Sequence, residues 1–420
     1  MRKPDGAGLN RRGLLGLAAG TAATAVFAPN VARAQAKTIK VGMPTILSGR
    51  VAQLGISSRN GVLMELEKVN ASGGLAGRPV EMVIRDSKGQ PQEAARVARE
   101  LINTDGCEFL IDAEASSGAF AVHEVARDLG VLCRHTCSET SSLTADPKQR
   151  IPNAFRSCRQ GIHDSIAGGS YAGAIAKAKG LKRWATCSPD YAYGRDTTAE
   201  FVEYLKRFAP DVEIISDSWP KLFQPDYTET ITKLLQARPQ ALYSALWGGD
   251  LTSFIDQANI YALLNQMQFF AVNMADYTAL TVVKNLPQGI HSGNRYIKTY
   301  PNTPQNAAWG DAYKAKYGEY PPNWAWQNAT CVHFLAEAAK KANSADGKKL
   351  ADALRGLTIP SPFGADGTLT MRAEDQTLVG YAIGWGTTIP KEPYVPEVQP
   401  GDWKQITELE AGWKKSKGFA

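Results

Sequence analysis

The stretch EFLIDAEASSGAFAVHEVARDLGVLCRHT, residues 108–136, decides the fold. Residues 108–112 read as a short buried strand, 116–129 as a helix and 131–136 as the next strand. Working outward, residues 38–44 and 78–86 read as strands, and 58–69 and 91–104 as helices, the first ending in Ser72-Gly73-Gly74. Beyond the stretch the alternation resumes. Helices at 165–179, 195–208, 228–236 and 250–262 precede strands at 183–187, 212–219, 241–246 and 268–272. Such alternation builds parallel sheets covered on both faces, with the strand C-termini along one edge, where ligands sit. The expected class is therefore α/β, with two doubly wound lobes in series. The end of the chain breaks the rhythm: helices at 304–317, 324–342 and 350–354, strands at 369–372 and 380–385, and an extended proline-rich run at 390–400. These parts are expected to complete the two lobes by crossing back. The basic tail Lys414-Lys415-Ser416-Lys417 reads as solvated.

Composition is that of an ordinary globular chain, 44% hydrophobic and 21% charged over 420 residues. Residues 1–34 read as a leader: Arg11-Arg12, a short apolar run, then Ala32-Arg33-Ala34. Paired arginines and modest hydrophobicity suit a twin-arginine export signal, cleaved after Ala34, and hence a periplasmic protein. The leader carries five basic residues against one acid, so most of the formal charge of +6 belongs to it. No basic face for nucleic acid remains. Nucleophile-elbow, phosphate-loop, zinc-protease and dinucleotide motifs are absent, and the five histidines are scattered. Neither catalysis nor a cofactor is expected. Cys133, His135 and Cys137 are a poor match to zinc spacing, so no metal is expected. An oxidising compartment permits disulfides. Cys137 and Cys158 each end a strand, and the two strands are plausible neighbours, so a Cys137–Cys158 bond is expected.

Three constellations fall on the strand C-terminal edge. Ser116-Ser117-Gly118 opens a helix, where hydroxyls and free N–H groups form an anion pocket or, equally, a plain cap. Cys137-Ser138-Glu139-Thr140 follows the next strand and points Glu139 at the cleft, unless it is an ordinary turn. Asp190-Tyr191-Ala192-Tyr193-Gly194 and Trp247-Gly248-Gly249-Asp250 supply aromatics for an apolar pocket wall.

In order and spacing the chain resembles the leucine/isoleucine/valine-type periplasmic solute-binding proteins of ABC transporters, over residues 38 to about 385. The anchors are Lys40-Val-Gly, Leu47 to Gly55, Asn70 to Val80, Ala115-Ser-Ser-Gly, Tyr191-Ala-Tyr-Gly-Arg and Gly364-x-x-Gly367. The resemblance implies two lobes joined by three crossovers, placed near 159–163, 292–298 and 378–381, with solute trapped in the cleft. Lobe 1 is then 38–160 plus 296–378, and lobe 2 is 161–295 plus 381–420. It implies a monomer that hands a small solute to membrane permease subunits of an ABC importer. A sensor component using the same fold is the alternative. Carried over by position, the carboxylate clamp falls on Ser116 and Ser117 with the backbone of Cys137, and Leu54 replaces a first-lobe aromatic. A usual small hydroxyl position falls on Glu139, and second-lobe aromatics fall on Tyr193 and Trp247. The acid that meets a ligand ammonium in amino-acid-binding members falls on Asn273. Two ligand classes stay open: an acid without an amine, or an amino acid whose ammonium meets Glu139 instead.

Overall fold

The computed structural model describes residues 37–420; the expected leader and its cleavage point lie outside them. Short apolar runs form two separate sheets. The first runs Val80–Asp86, Ile39–Thr45, Phe109–Asp112, Cys133–His135, Ala154–Arg156, and every pair is parallel. The second is centred on Glu213–Ser218, Arg183–Cys187, Ala241–Ser244, Gln268–Ala271 and His291–Tyr296, again parallel. Its far edge is closed by antiparallel Gly384–Thr387 and Val398–Pro400. The central strands are buried almost throughout, as parallel strands with helices on both faces must be. This is the two-lobed α/β architecture expected from the alternation.

The chain passes between the sheets three times, at 157–160, 297–303 and 380–383. After the second passage, helix Asn323–Ala342 returns to the first lobe and packs on helix Ala52–Ala71. Gly61 permits this closeness, since a Cβ there would sit 2.1 Å from the Ala325 carbonyl oxygen. A small antiparallel sheet, Thr358–Pro360, Thr368–Met371 and Leu378–Val379, precedes the third passage. Residues 380–383 are not strand, contrary to the sequence expectation: Tyr381 and its neighbours form the passage itself.

The C-terminus also corrects the sequence reading. Residues Trp403–Lys417 form a helix capped by Asp402, packed on helix Gly161–Lys179. Lys414 is not solvated. Its ammonium lies 2.8 Å from Asp375 and 3.3 Å from Glu410, both buried. Arg372 bonds Glu410 at 2.6 and 2.7 Å, and His163 Nε2 lies 3.0 Å from Glu410. His163 Nδ1 meets the Tyr381 hydroxyl at 2.9 Å, and the Trp403 indole donates to the Tyr381 carbonyl at 2.8 Å. The helix is thereby fixed to helix Gly161–Lys179 and to the third passage. Burial opposes ionisation of Glu410, but His163 and Arg372 outweigh it and hold the carboxyl far below its usual range. Glu410→Gln removes the carboxylate that Arg372 and Lys414 share, leaving them Asp375 alone among buried anions. Unfolding in urea is expected to show a loss of about 3–5 kcal/mol, the scale for breaking a buried pair; unchanged stability would contradict the network.

Candidate ligand-binding site

Between the two sheets, side chains from both lobes line a cavity of about 460 Å³, its open side included. Most lining groups arrive at strand-to-helix transitions; Arg295 comes from strand His291–Tyr296, and Asn323 and Trp324 open helix Asn323–Ala342. Strand Phe109–Asp112 turns through Ala115 into helix Ser116–Leu129, and no side chain caps that helix start. Its first N–H groups and the positive end of the helix dipole are left to meet an anion. Ser116 is buried and lines the cavity; Ser138 donates to its hydroxyl at 3.3 Å from behind. Ser117 lies one residue further on, half-buried and outside the lining; Ser138, fully buried, is outside it too.

The second sheet supplies the aromatic wall. Tyr191 and Tyr193 stand at the start of helix Ala192–Phe208, and Trp247 immediately precedes helix Gly248–Ile260. The Trp247 indole donates to the Tyr191 hydroxyl at 2.9 Å. Its ring lies edge-on to Trp324, centroids 5.8 Å apart. Leu54 and Cys137 complete the apolar lining on the first-lobe side. The structure therefore gathers Leu54, Ser116, Cys137, Glu139, Tyr193, Trp247 and Asn273 around one space, and leaves Ser117 and Ser138 out of it.

The expected Cys137–Cys158 disulfide is not formed; both are free, buried thiols. Strand register does bring these chains side by side, with His135 opposite Arg156. Each sulfur has another partner, however: Cys137 Sγ lies 3.3 Å from the Ser58 hydroxyl, and Cys158 Sγ donates to the Ser138 carbonyl at 3.0 Å.

Glu139 faces the cavity but is not free. One carboxylate oxygen bonds Arg295; the other accepts from Asn323 at 3.1 Å and Gln327 at 3.4 Å. Arg295 also bonds Asp164 at 2.8 Å, and Asp164 is held by Arg159 at 3.1 Å. Burial opposes the charge on Asp164, yet Arg159 and Arg295 outweigh it and lower its pKa. Burial likewise opposes the Arg295 cation, and Glu139 and Asp164 outweigh it and raise its pKa. Arg295, Asp276, Thr278, Asn323 and Trp324 were not singled out in the sequence. Arg295 had one readable signal, a lone charge within a fully buried strand, His291–Tyr296.

Asn273 is fixed as a neutral amide. Its Nδ2 donates to the Tyr193 hydroxyl at 3.0 Å and lies near the Ala245 and Leu246 carbonyls at 3.2 and 3.1 Å. Asn273→Asp would remove these donors and set a carboxylate against two carbonyl oxygens. An unsatisfied buried acceptor costs about 1–3 kcal/mol, so chemical denaturation should show at least about 2 kcal/mol lost. Full stability would mean that the amide is not holding the wall.

A family profile for periplasmic binding proteins matches residues 38–383. The leucine-, isoleucine-, valine-, threonine- and alanine-binding protein of Pseudomonas aeruginosa is 26% identical over 330 residues, 78% of this chain and 85% of its own. A solute-binding protein of an ABC transporter from Rhodopseudomonas palustris BisB5, solved with 3,4-dihydroxybenzoic acid, superposes with a TM-score of 0.77 at 24% identity, covering 85% of this chain and 95% of that one. One from R. palustris solved with benzoate gives a TM-score of 0.75 at 21% identity, covering 87% and 97%. With the profile spanning both lobes and all three passages, this chain belongs to the periplasmic binding protein family.

Proposed function

We propose that the protein is an exported receptor that captures a small carboxylate-bearing solute with an apolar or aromatic body and delivers it, as a monomer, to an ABC importer. Export by the twin-arginine route, with cleavage after Ala34, is part of the reading. The observation that carries it is the pairing, across one cavity, of an uncapped helix start at Ser116 with an aromatic wall of Tyr191, Tyr193, Trp247 and Trp324. The first suits a carboxylate. The second suits a planar or branched apolar body. Both known ligand classes of the relatives, amino acids and benzoates, carry that carboxylate. Residues from both lobes line the space, so a solute held there favours the lobes being together.

A thermal-shift screen of benzoate, 4-hydroxybenzoate, 3-phenylpropanoate and 4-methylpentanoate tests this. Ligand at 100 times Kd adds about 2.7 kcal/mol to the folded state, so a binding acid raises Tm measurably. For that acid, calorimetry should show Ser116→Ala weakening binding by about 2–10-fold, the equivalent of one hydrogen bond. Trp247→Ala should weaken it at least as much. If no carboxylate shifts Tm, or if both variants bind like the wild type, the assignment of this cavity fails.

A further inference from the structure

We infer that Arg295 is the specificity-determining residue of the cavity and that it restricts the solute to carboxylic acids without an ammonium group. The inference rests on the receptor reading above and narrows its substrate class.

An ammonium held out of water needs an anion or several acceptors around it. The cavity lining contains two carboxylates, Glu139 and Asp276. Both are engaged. Glu139 is occupied by Arg295 on one oxygen and by Asn323 and Gln327 on the other. Asp276 accepts from the Thr278 backbone N–H at 2.8 Å and hydroxyl at 2.5 Å, and from the Asn323 backbone N–H at 2.6 Å. The Asn273 carbonyl oxygen faces the Tyr193 hydroxyl at 3.3 Å. To reach Glu139 a solute cation would have to displace Arg295 and then share the cavity with it.

Arg295 has nowhere to go. It is buried, a guanidinium does not deprotonate, and Asp164 holds its other arm while Arg159 holds Asp164. The chain Arg159–Asp164–Arg295–Glu139 alternates in sign and is neutral as a whole. It needs no solute charge to complete it, and an added ammonium would face the Arg295 cation in the lining. A carboxylate is treated differently. It is drawn to the open helix start at Ser116, and the Nε–H of Arg295, which has no acceptor among the described residues, adds a cation to the same lining. Asn273 carries no charge, and Glu139 is already paired with Arg295, so neither is left to meet an ammonium.

Two pairs of probes differ only by the α-ammonium: 3-phenylpropanoate against phenylalanine, and 4-methylpentanoate against leucine. Calorimetric titration of the wild type should show the deaminated member of the better-binding pair favoured by at least 100-fold. In Arg295→Gln, Glu139 is released, so the preference should move toward the amino acid by at least 30-fold. Adding Glu139→Gln to that variant should cancel the movement, which a loss of fold would not do. A wild type that binds phenylalanine or leucine as tightly as its deaminated partner overturns the inference and leaves the receptor reading standing. An unchanged preference in a folded Arg295→Gln protein does the same. A wild type that binds none of the four, nor benzoate nor 4-hydroxybenzoate, overturns both. The wild-type comparison decides even if Arg295→Gln does not fold.

Discussion

A guanidinium buried between two carboxylates from different parts of the chain is the constraint on which the site depends. Arg295 ends a strand of the second sheet, just before the second passage. Glu139 follows a strand of the first sheet, and Asp164 opens the helix after the first passage. Removing such charges from water costs several kcal/mol per ion, and the arrangement is tolerable only because every member has a partner of opposite sign. The link therefore fixes the floor of the cavity, the mutual placement of the lobes beside it and the charge that a solute meets. Further out, Glu410 does the equivalent for the outer face of the passages, gathering His163, Arg372 and Lys414 around one carboxylate.

The cavity is built where chain direction changes. The helix start at Ser116, the helix starts at Ala192 and Gly248, and the start of Asn323–Ala342 all converge on it. Strand C-termini and helix N-termini meet there because parallel sheets with right-handed crossovers put both along one edge. Facing two such edges across a cleft surrounds a solute with backbone donors at one side and aromatic rings at the other.

Much of this was legible in the residues. Alternation of apolar runs with helical spacing specifies the two sheets, and the strand-end rule points to Ser116, Glu139, Tyr193 and Trp247. What escaped did so for physical reasons. Trp403–Lys417 follows a proline-rich run and ends in Lys-Lys-Ser-Lys, so local signals read as a solvated tail; only the distant Asp375, together with Glu410 within the helix, makes a buried Lys414 acceptable. Arg295 contacts residues more than a hundred positions away, and no local pattern reports that. The Cys137–Cys158 bond failed in the opposite sense. The neighbouring strands were read correctly, but adjacency does not set where each sulfur points, and Ser58 and the Ser138 carbonyl take them.

The central claim is that a carboxylate sits at the Ser116 helix start and that Arg295 stays on Glu139 while it does. A crystal structure of the protein with 4-hydroxybenzoate tests this most directly. The account predicts the carboxylate within hydrogen-bonding distance of the Ser116 hydroxyl and the first N–H groups of its helix. It also predicts the ring against Tyr193 and Trp247, with the Arg295–Glu139 pair intact. Density for the acid elsewhere, or an Arg295 swung away from Glu139 to meet it, would contradict the account.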